Sequence, residues 1–419
     1  MNRLVLIGNG FDLAHGLKTK YEHFIDWYWE EWGNRLMVGK KYKYEDEFCL
    51  FELRDKVGIG NWYLVRDWYF QDIKLNAKEF VQRAKNDTNL CIFNYKSPFF
   101  EQINKSIEDK GWVDIENEYY LLLKRYAIEK PSKNDVINLN KQLHFLQDKL
   151  IEYLSEINEQ DKNTIDKIKE KIFAPINSSD VAVGATKVLN EYVDWCMGLQ
   201  HGELERKLKE YGIDSDRSFI YLNEVDEYWQ NRTSFVDYPR VFRLPDNIML
   251  LNFNYTNTAM QYMPLEGQIF FLNHIHGEVS NPQNVIFGYG DELDDDYKAI
   301  QNINDNDYLK NVKSIRYLES CKYRSVLSFI DSAPFQVCIM GHSCGNSDRT
   351  LLNTLFEHRN CISIKPYYYI KENGDDNYLE LVQNISRNFT DMKLFRDRVV
   401  NKEYCEPLTH KKKQLNLMV

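Results

Sequence analysis

Leu4-Val5-Leu6-Ile7-Gly8-Asn9-Gly10-Phe11-Asp12 is the stretch from which the fold is read. Four leucine and β-branched side chains in succession, stopped by two glycines around an asparagine, predict a buried strand entering a tight turn. Thr19-Lys20-Tyr21-Glu22 then has the spacing of a capping box, and Phe24, Ile25, Tyr28, Trp29 and Trp32 recur at helical intervals. A strand, a glycine loop and an amphipathic helix are therefore expected in that order.

Two further textures follow. No glycine occurs between Gly111 and Gly184, and Val136, Leu139, Leu143, Leu146, Leu150, Leu154 and Ile157 step by three and four. Ile165, Ile168 and Ile172 resume that rhythm, which predicts a long helix or helical hairpin, packed on neighbours or forming a dimerising coiled coil. After Pro245 come short apolar runs at Ile248–Phe253, Ile269–Ile275, Val285–Phe287, Phe335–Met340 and Ile362–Ile370, with helical patterns at Ser347–His358 and Tyr378–Phe389. Strands alternating with helices imply an α/β fold, a Rossmann-like and largely parallel sheet carrying a large helical insertion. The expected division is a nucleotide-binding core of 1–19 and 246–400, a mainly helical insertion over 20–245, and a polar tail over 401–419 that includes Lys411-Lys412-Lys413.

Composition bounds the function. With 43% hydrophobic and 28% charged residues over 419 positions, the chain is an ordinary globular protein and not a disordered or fibrous one. A formal charge of −10 argues against a whole-surface grip on nucleic acid. No run of 18 apolar residues suggests a membrane span, and the four apolar residues after Arg3 fall short of a signal-peptide core. Eight cysteines without a Cys-x-x-Cys pair suggest neither a zinc ribbon nor a disulfide framework. A cytoplasmic protein with reduced thiols and no metal is the expectation.

In an open parallel sheet, ligands bind beyond the carboxyl ends of the strands, so the residues after each apolar run carry the chemistry. Gly8, Asn9 and Gly10 form a turn whose backbone could approach a phosphate, or merely one that joins strand to helix, and Asp12 suits a ribose hydroxyl. Asn252 and Asn254 end the Ile248 run, where an amide can orient water or a sugar hydroxyl without adding charge. His274 and His276 end the next run; His276 suits a general base, a metal ligand or a structural role. Gly341-His342-Ser343-Cys344-Gly345, followed by Asn346, Ser347 and Asp348, reads either as a nucleophile elbow around Ser343 or as a second loop holding phosphate or ribose. Trp112 to Glu118 collects acids and aromatics that could be a solvated face, or could bring Asp114 or Glu116 over the sheet edge.

These segments together resemble the AbiH family of phage abortive-infection proteins: the opening Leu4–Leu17 block, Trp112–Glu116, Asn252-Phe-Asn-Tyr-Thr256 and His274-Ile-His-Gly277. More distantly, the order of motifs is similar to that of sirtuin-like NAD-hydrolysing defence proteins, departing from them at Asn9-Gly10-Phe11-Asp12 and at Thr256. The resemblance implies Asn254 as the water- or ribose-orienting amide and His276 as the base. Gly8, Asn9, Gly10, Asp12, Gly341, Ser343 and Asp348 would then hold NAD as substrate, with cleavage to nicotinamide and ADP-ribose during phage defence. A nucleotide is the implied ligand, with a second copy or a defence partner met through the helical insertion. The alternatives from the residues themselves are a serine hydrolase using Ser343, a nucleotide-sensing module without turnover, and a metal nuclease built on His274 and His276.

Overall fold

The computed structural model describes residues 1–38, 43–53, 86, 91–158, 163–231, 238–263 and 270–409. Its strands are β1 (Asn2–Ile7), β2 (Lys43–Glu45), β3 (Cys49–Leu53), β4 (Cys91–Tyr95), β5 (Asn247–Asn252), β6 (Phe270–His274), β7 (Phe335–Met340) and β8 (Cys361–Tyr367). β1 is buried at all six positions because it lies in the middle of a parallel sheet of order β6-β5-β1-β7-β8. Leu4 pairs with Met249 on one side and Val337 on the other. The first strand is thus flanked by strands that follow it by more than 240 and 320 residues.

Both faces of the sheet are covered, which is why the strands read as continuous apolar runs. Leu4, Leu6, Met249, Leu251, Val337 and Ile339 face one layer, built from the helices Lys322–Ser332, Arg349–Phe356 and Tyr378–Arg387. Val5, Ile7, Ile248, Leu250, Cys338 and Met340 face the other, against Phe11, Tyr262 and Ile168 and Ile172 of the helix Asp166–Phe173. Each enclosed aliphatic side chain contributes about 1.5–3 kcal/mol, so this two-sided core fixes β1 firmly.

The middle of the chain holds the helix Lys133–Asn158, whose apolar stripe packs on Tyr21–Val38, Pro98–Lys110 and Ile115–Lys124 in a ring-rich cluster. Trp29 and Trp32 meet edge to face there, at 5.8 Å. Several sequence expectations need correction. The mainly helical middle segment also holds a separate antiparallel sheet of β2, β3 and β4, which the sequence reading did not include. Val285–Phe287 is not a strand; it is buried irregular chain that packs partly on the insertion. Thr19 does not stand at the cap of the next helix, which begins at Tyr21 and takes its first carbonyl from Lys20; its hydroxyl donates to Asn9 Oδ1. Residues 401–409 are not loose either: Leu408 is buried, and the carbonyls of Pro407 and Leu408 accept from Lys171 Nζ. Ile269 and Lys411–Lys413 lie outside the described residues.

Candidate functional site at the switch point

Counted among its own members, the parallel sheet runs 3-2-1-4-5, so the connections leave β1 and β7 in opposite directions along it. A crevice opens at such a switch point, beyond the carboxyl ends of the strands. The loops leaving β1 and β7 meet there almost without side chains between them. A Cβ on Gly8 would lie 2.5 Å from His342 Cα, and one on Gly10 2.9 Å from Gly341 Cα. Gly341 has φ +80° and its Cβ would strike the Phe11 amide, a conformation and a contact open to glycine alone. The Gly8 and Gly10 amides donate to the carbonyls of Met340 and Gly341, so these glycines join loop to loop and do not offer their N–H groups to a phosphate.

Beside this junction lies a cavity of about 800 Å³, within the range of small-molecule and cofactor sites. Gly8, Asn9, Gly10, Asp12, Asn254, His276, Gly341, Ser343 and Asp348 all line it. The helical insertion supplies the opposite wall with Tyr21, Asp114 and Glu116. The segment after β8 supplies Tyr368, Tyr369 and Lys371, with Asn384 beyond them.

Each strand end sets its side chain locally. Past β5, Asn252 Oδ1 accepts the Asn254 amide in a tight turn, and Asn254 Nδ2 donates to the Gly8 carbonyl at 3.0 Å. That bond fixes the amide against the glycine loop. Asp12 is buried and accepts the Thr256 hydroxyl, so one carboxylate oxygen is taken by protein and not left to a ribose. β6 ends at His274, and the two histidines part there: His274 Nδ1 faces Asn252 Nδ2 at 3.2 Å, whereas His276 Nε2 faces Asp348 Oδ1 at 3.1 Å and the Tyr317 hydroxyl at 3.1 Å. They do not converge as a ligand pair. Among the described residues no group of three or more His, Cys, Asp or Glu is arranged to hold a metal.

Asp348 is the hub of the site. Its Oδ1 meets His276 and Lys313 Nζ (2.9 Å), and its Oδ2 meets His342 Nε2 at 3.6 Å. His342 Nδ1 accepts the Cys344 amide, which places the neutral ring's proton on Nε2, toward Asp348. Lys313 also reaches Glu116 Oε2 at 2.8 Å, and Glu116 Oε1 accepts the Gly288 amide at 3.3 Å. Two carboxylates therefore share one ammonium in a nearly dry space. Burial pushes Glu116 up to about 7, with Lys313 opposing and Asp348 and Asp114 adding to the rise. Burial also raises Asp114. Burial alone would raise Asp348 as well, but Lys313 and then His276 hold it well below the usual carboxylate range. Burial and the Lys313 charge lower His276, leaving it a neutral base at pH 7.

Ser343 does not form a nucleophile elbow. It is exposed, its carbonyl accepts Asn384 Nδ2, and the His342 ring beside it is turned to Cys344 and Asp348. The strained residue of the loop is Cys344, at φ 55°, and burial drives that thiol far above its ordinary pKa. Lys313 and Tyr317 were invisible as site residues in the sequence. The signal nearest to them is the Gly288-Tyr-Gly290 segment, where the Tyr289 carbonyl accepts the Lys313 amide and Gly290 leaves space for the lysine stem.

The model for bacteriophage abortive infection AbiH matches residues 4–369. The chain belongs to the AbiH family. The matched span of this AbiH chain contains the loops after β1, β5, β6 and β7 and the whole Glu116–Lys313–Asp348–His276 cluster. No curated protein and no solved structure matches the chain, and the sirtuin-like resemblance draws no support from these comparisons. No helix among the described residues of this AbiH protein is long and apolar enough to cross a membrane.

Proposed function

We propose that this AbiH protein binds NAD at the switch point and hydrolyses the bond between nicotinamide and ribose, as its part in abortive infection. The observation that carries the reading is the meeting of Asn254, the His276–Asp348 pair and Glu116 on one cavity beside the glycine junction.

Cleavage passes through an oxocarbenium-like state, as in glycoside hydrolysis. The C1′–N bond breaks with its electron pair going to the pyridinium nitrogen, so nicotinamide leaves neutral and needs no acid. A water oxygen bonds to C1′, and the water proton passes to His276 Nδ1, the nitrogen left over when Nε2 faces Asp348. Asp348 orients that ring, in the way a third group orients the base of a triad. Asn254, held by the Gly8 carbonyl, presents its remaining amide atoms to water or ribose. The Glu116 carboxylate, when ionised, supplies negative charge opposite the cationic transition state. Phosphate contacts in this reading fall to Asn9 and Ser343, both exposed on the cavity, because the glycine amides are occupied.

The test is to incubate the purified chain with NAD and follow free nicotinamide, comparing wild type with Asn254→Ala and His276→Ala. Loss of at least a hundredfold in both is expected. Unchanged turnover in both folded variants removes those roles, and binding without turnover in the wild type makes the chain a nucleotide sensor.

A further inference from the structure

The acids around the switch-point cavity are not alike. Asp12 is turned to the Thr256 hydroxyl, Glu116 to Lys313 and the Gly288 amide, and Asp348 to Lys313 and two histidines. Asp114 differs. It stands just ahead of the helix Ile115–Lys124 and caps it with one oxygen, Oδ1, which accepts the Asn117 amide at 3.0 Å. Among the described residues no hydrogen bond reaches Oδ2.

That second oxygen lies over the loop that follows β7. A Cβ on Gly345 would stand 3.8 Å from Asp114 Oδ2 and 3.7 Å from Ser343 Oγ, so the missing side chain leaves a gap bordered by a carboxylate and a hydroxyl. Both residues line the cavity, and Asp114 is two positions from Glu116, beside the Asp348 hub. An ionised carboxylate can only accept, so what Oδ2 takes must be a donor. Ser343, read above as a phosphate contact, borders the same gap, so the sugar joined to that phosphate through C5′ falls next to Asp114. The hydroxyl of that sugar nearest the scissile bond is on C2′, the carbon beside C1′.

Resting on the reading of this cavity as an NAD site, we propose that Asp114 Oδ2 accepts the 2′-hydroxyl of the nicotinamide ribose, so that the helical insertion selects a ribose. As C1′ gains positive charge its neighbouring hydroxyl becomes a stronger donor, and the bond tightens in the transition state. Asn254 is then left to orient the water.

Asp114→Asn keeps an oxygen for the Asn117 amide, since Asn caps helices as well as Asp does, and puts an N–H2 group in place of Oδ2. Nicotinamide release is followed with NAD and with the analogue whose nicotinamide ribose carries hydrogen at C2′. The variant is expected to lose about a hundredfold in kcat/KM on NAD and less than about threefold on the analogue, with an unchanged melting midpoint. Asp114→Ser, which caps but has no second oxygen, should show the same contrast. An equal loss on both substrates overturns the ribose contact and leaves hydrolysis standing. Binding of carba-NAD, in which a methylene group replaces the ribose ring oxygen and the bond to nicotinamide stays intact, decides the matter if the wild type releases no nicotinamide. Weaker binding of carba-NAD by Asp114→Asn, with no change for its 2′-deoxy form, then upholds the contact without hydrolysis; equal binding by wild type and variant, or none by either, overturns it.

Discussion

Lys313→Met removes one ammonium from between two buried carboxylates and leaves the side-chain volume nearly unchanged. Lys313 is 1% exposed and lies 2.8 Å from Glu116 and 2.9 Å from Asp348. At an effective dielectric of 20 each contact is worth roughly 6 kcal/mol of attraction, most of it offset by the desolvation of the three ions. Breaking such a pair from one side costs about 3–5 kcal/mol. The lower end is expected here, because Glu116, already raised to about 7, escapes by taking a proton while Asp348 is left exposed to the loss. The pH dependence follows from the sign. Glu116 titrates higher in the fold than its ordinary 4.5, so the stability it contributes is complete below 4.5 and is lost as pH rises through 7. Without Lys313 its folded value climbs further. The penalty in urea unfolding is therefore expected to be about 3 kcal/mol or more at pH 8 and clearly smaller at pH 5.5. Glu116→Gln added to Lys313→Met should restore about 1–2 kcal/mol at pH 8. A Lys313→Met protein within about 0.5 kcal/mol of wild type at pH 8 would refute the account of a shared, load-carrying charge.

Other outcomes follow from the same geometry. NAD turnover is expected to rise with pH through about 7 as Glu116 ionises, and Glu116→Gln should flatten that limb in kcat/KM while leaving a lower limb from His276, whose pKa lies below 6.5. Gly341→Ala places a Cβ against the Phe11 backbone at φ +80°, and should cost about 3 kcal/mol or more, read as a lowered melting midpoint or loss of soluble protein. A fluorophosphonate should leave the wild type unlabelled, since among the described residues the adjacent imidazole, His342, is turned to Cys344 and Asp348 and not to Ser343; labelling abolished by Ser343→Ala would restore the hydrolase.

The sheet was legible because its strands are enclosed on both sides and so leave unbroken apolar runs, as at Leu4–Ile7 and Phe335–Met340. The loops after them were legible because ligands bind beyond the carboxyl ends of such strands, and all nine residues chosen past those ends line one cavity. What was not legible depends on contacts far apart in sequence. The glycines look like phosphate-binding glycines, yet their reason is the approach of a loop more than 330 residues away. Lys313 opens a four-residue helix with no motif, and only its partners at 116 and 348 reveal it. The antiparallel sheet β2–β4 was missed because its strands are short and only partly buried, so the periodic helices around them dominate the pattern.

The central position of β1 orders events on the ribosome. It is synthesised before both of its neighbours, which follow some 240 and 330 residues later, a wait of roughly 12–50 s for the earlier one at 5–20 residues per second. Until Asp348 has left the exit tunnel, the sheet lacks its β8 edge and His276 lacks its carboxylate partner. A chain terminated before Asp348 thus lacks the charged pair on which the proposed hydrolysis depends.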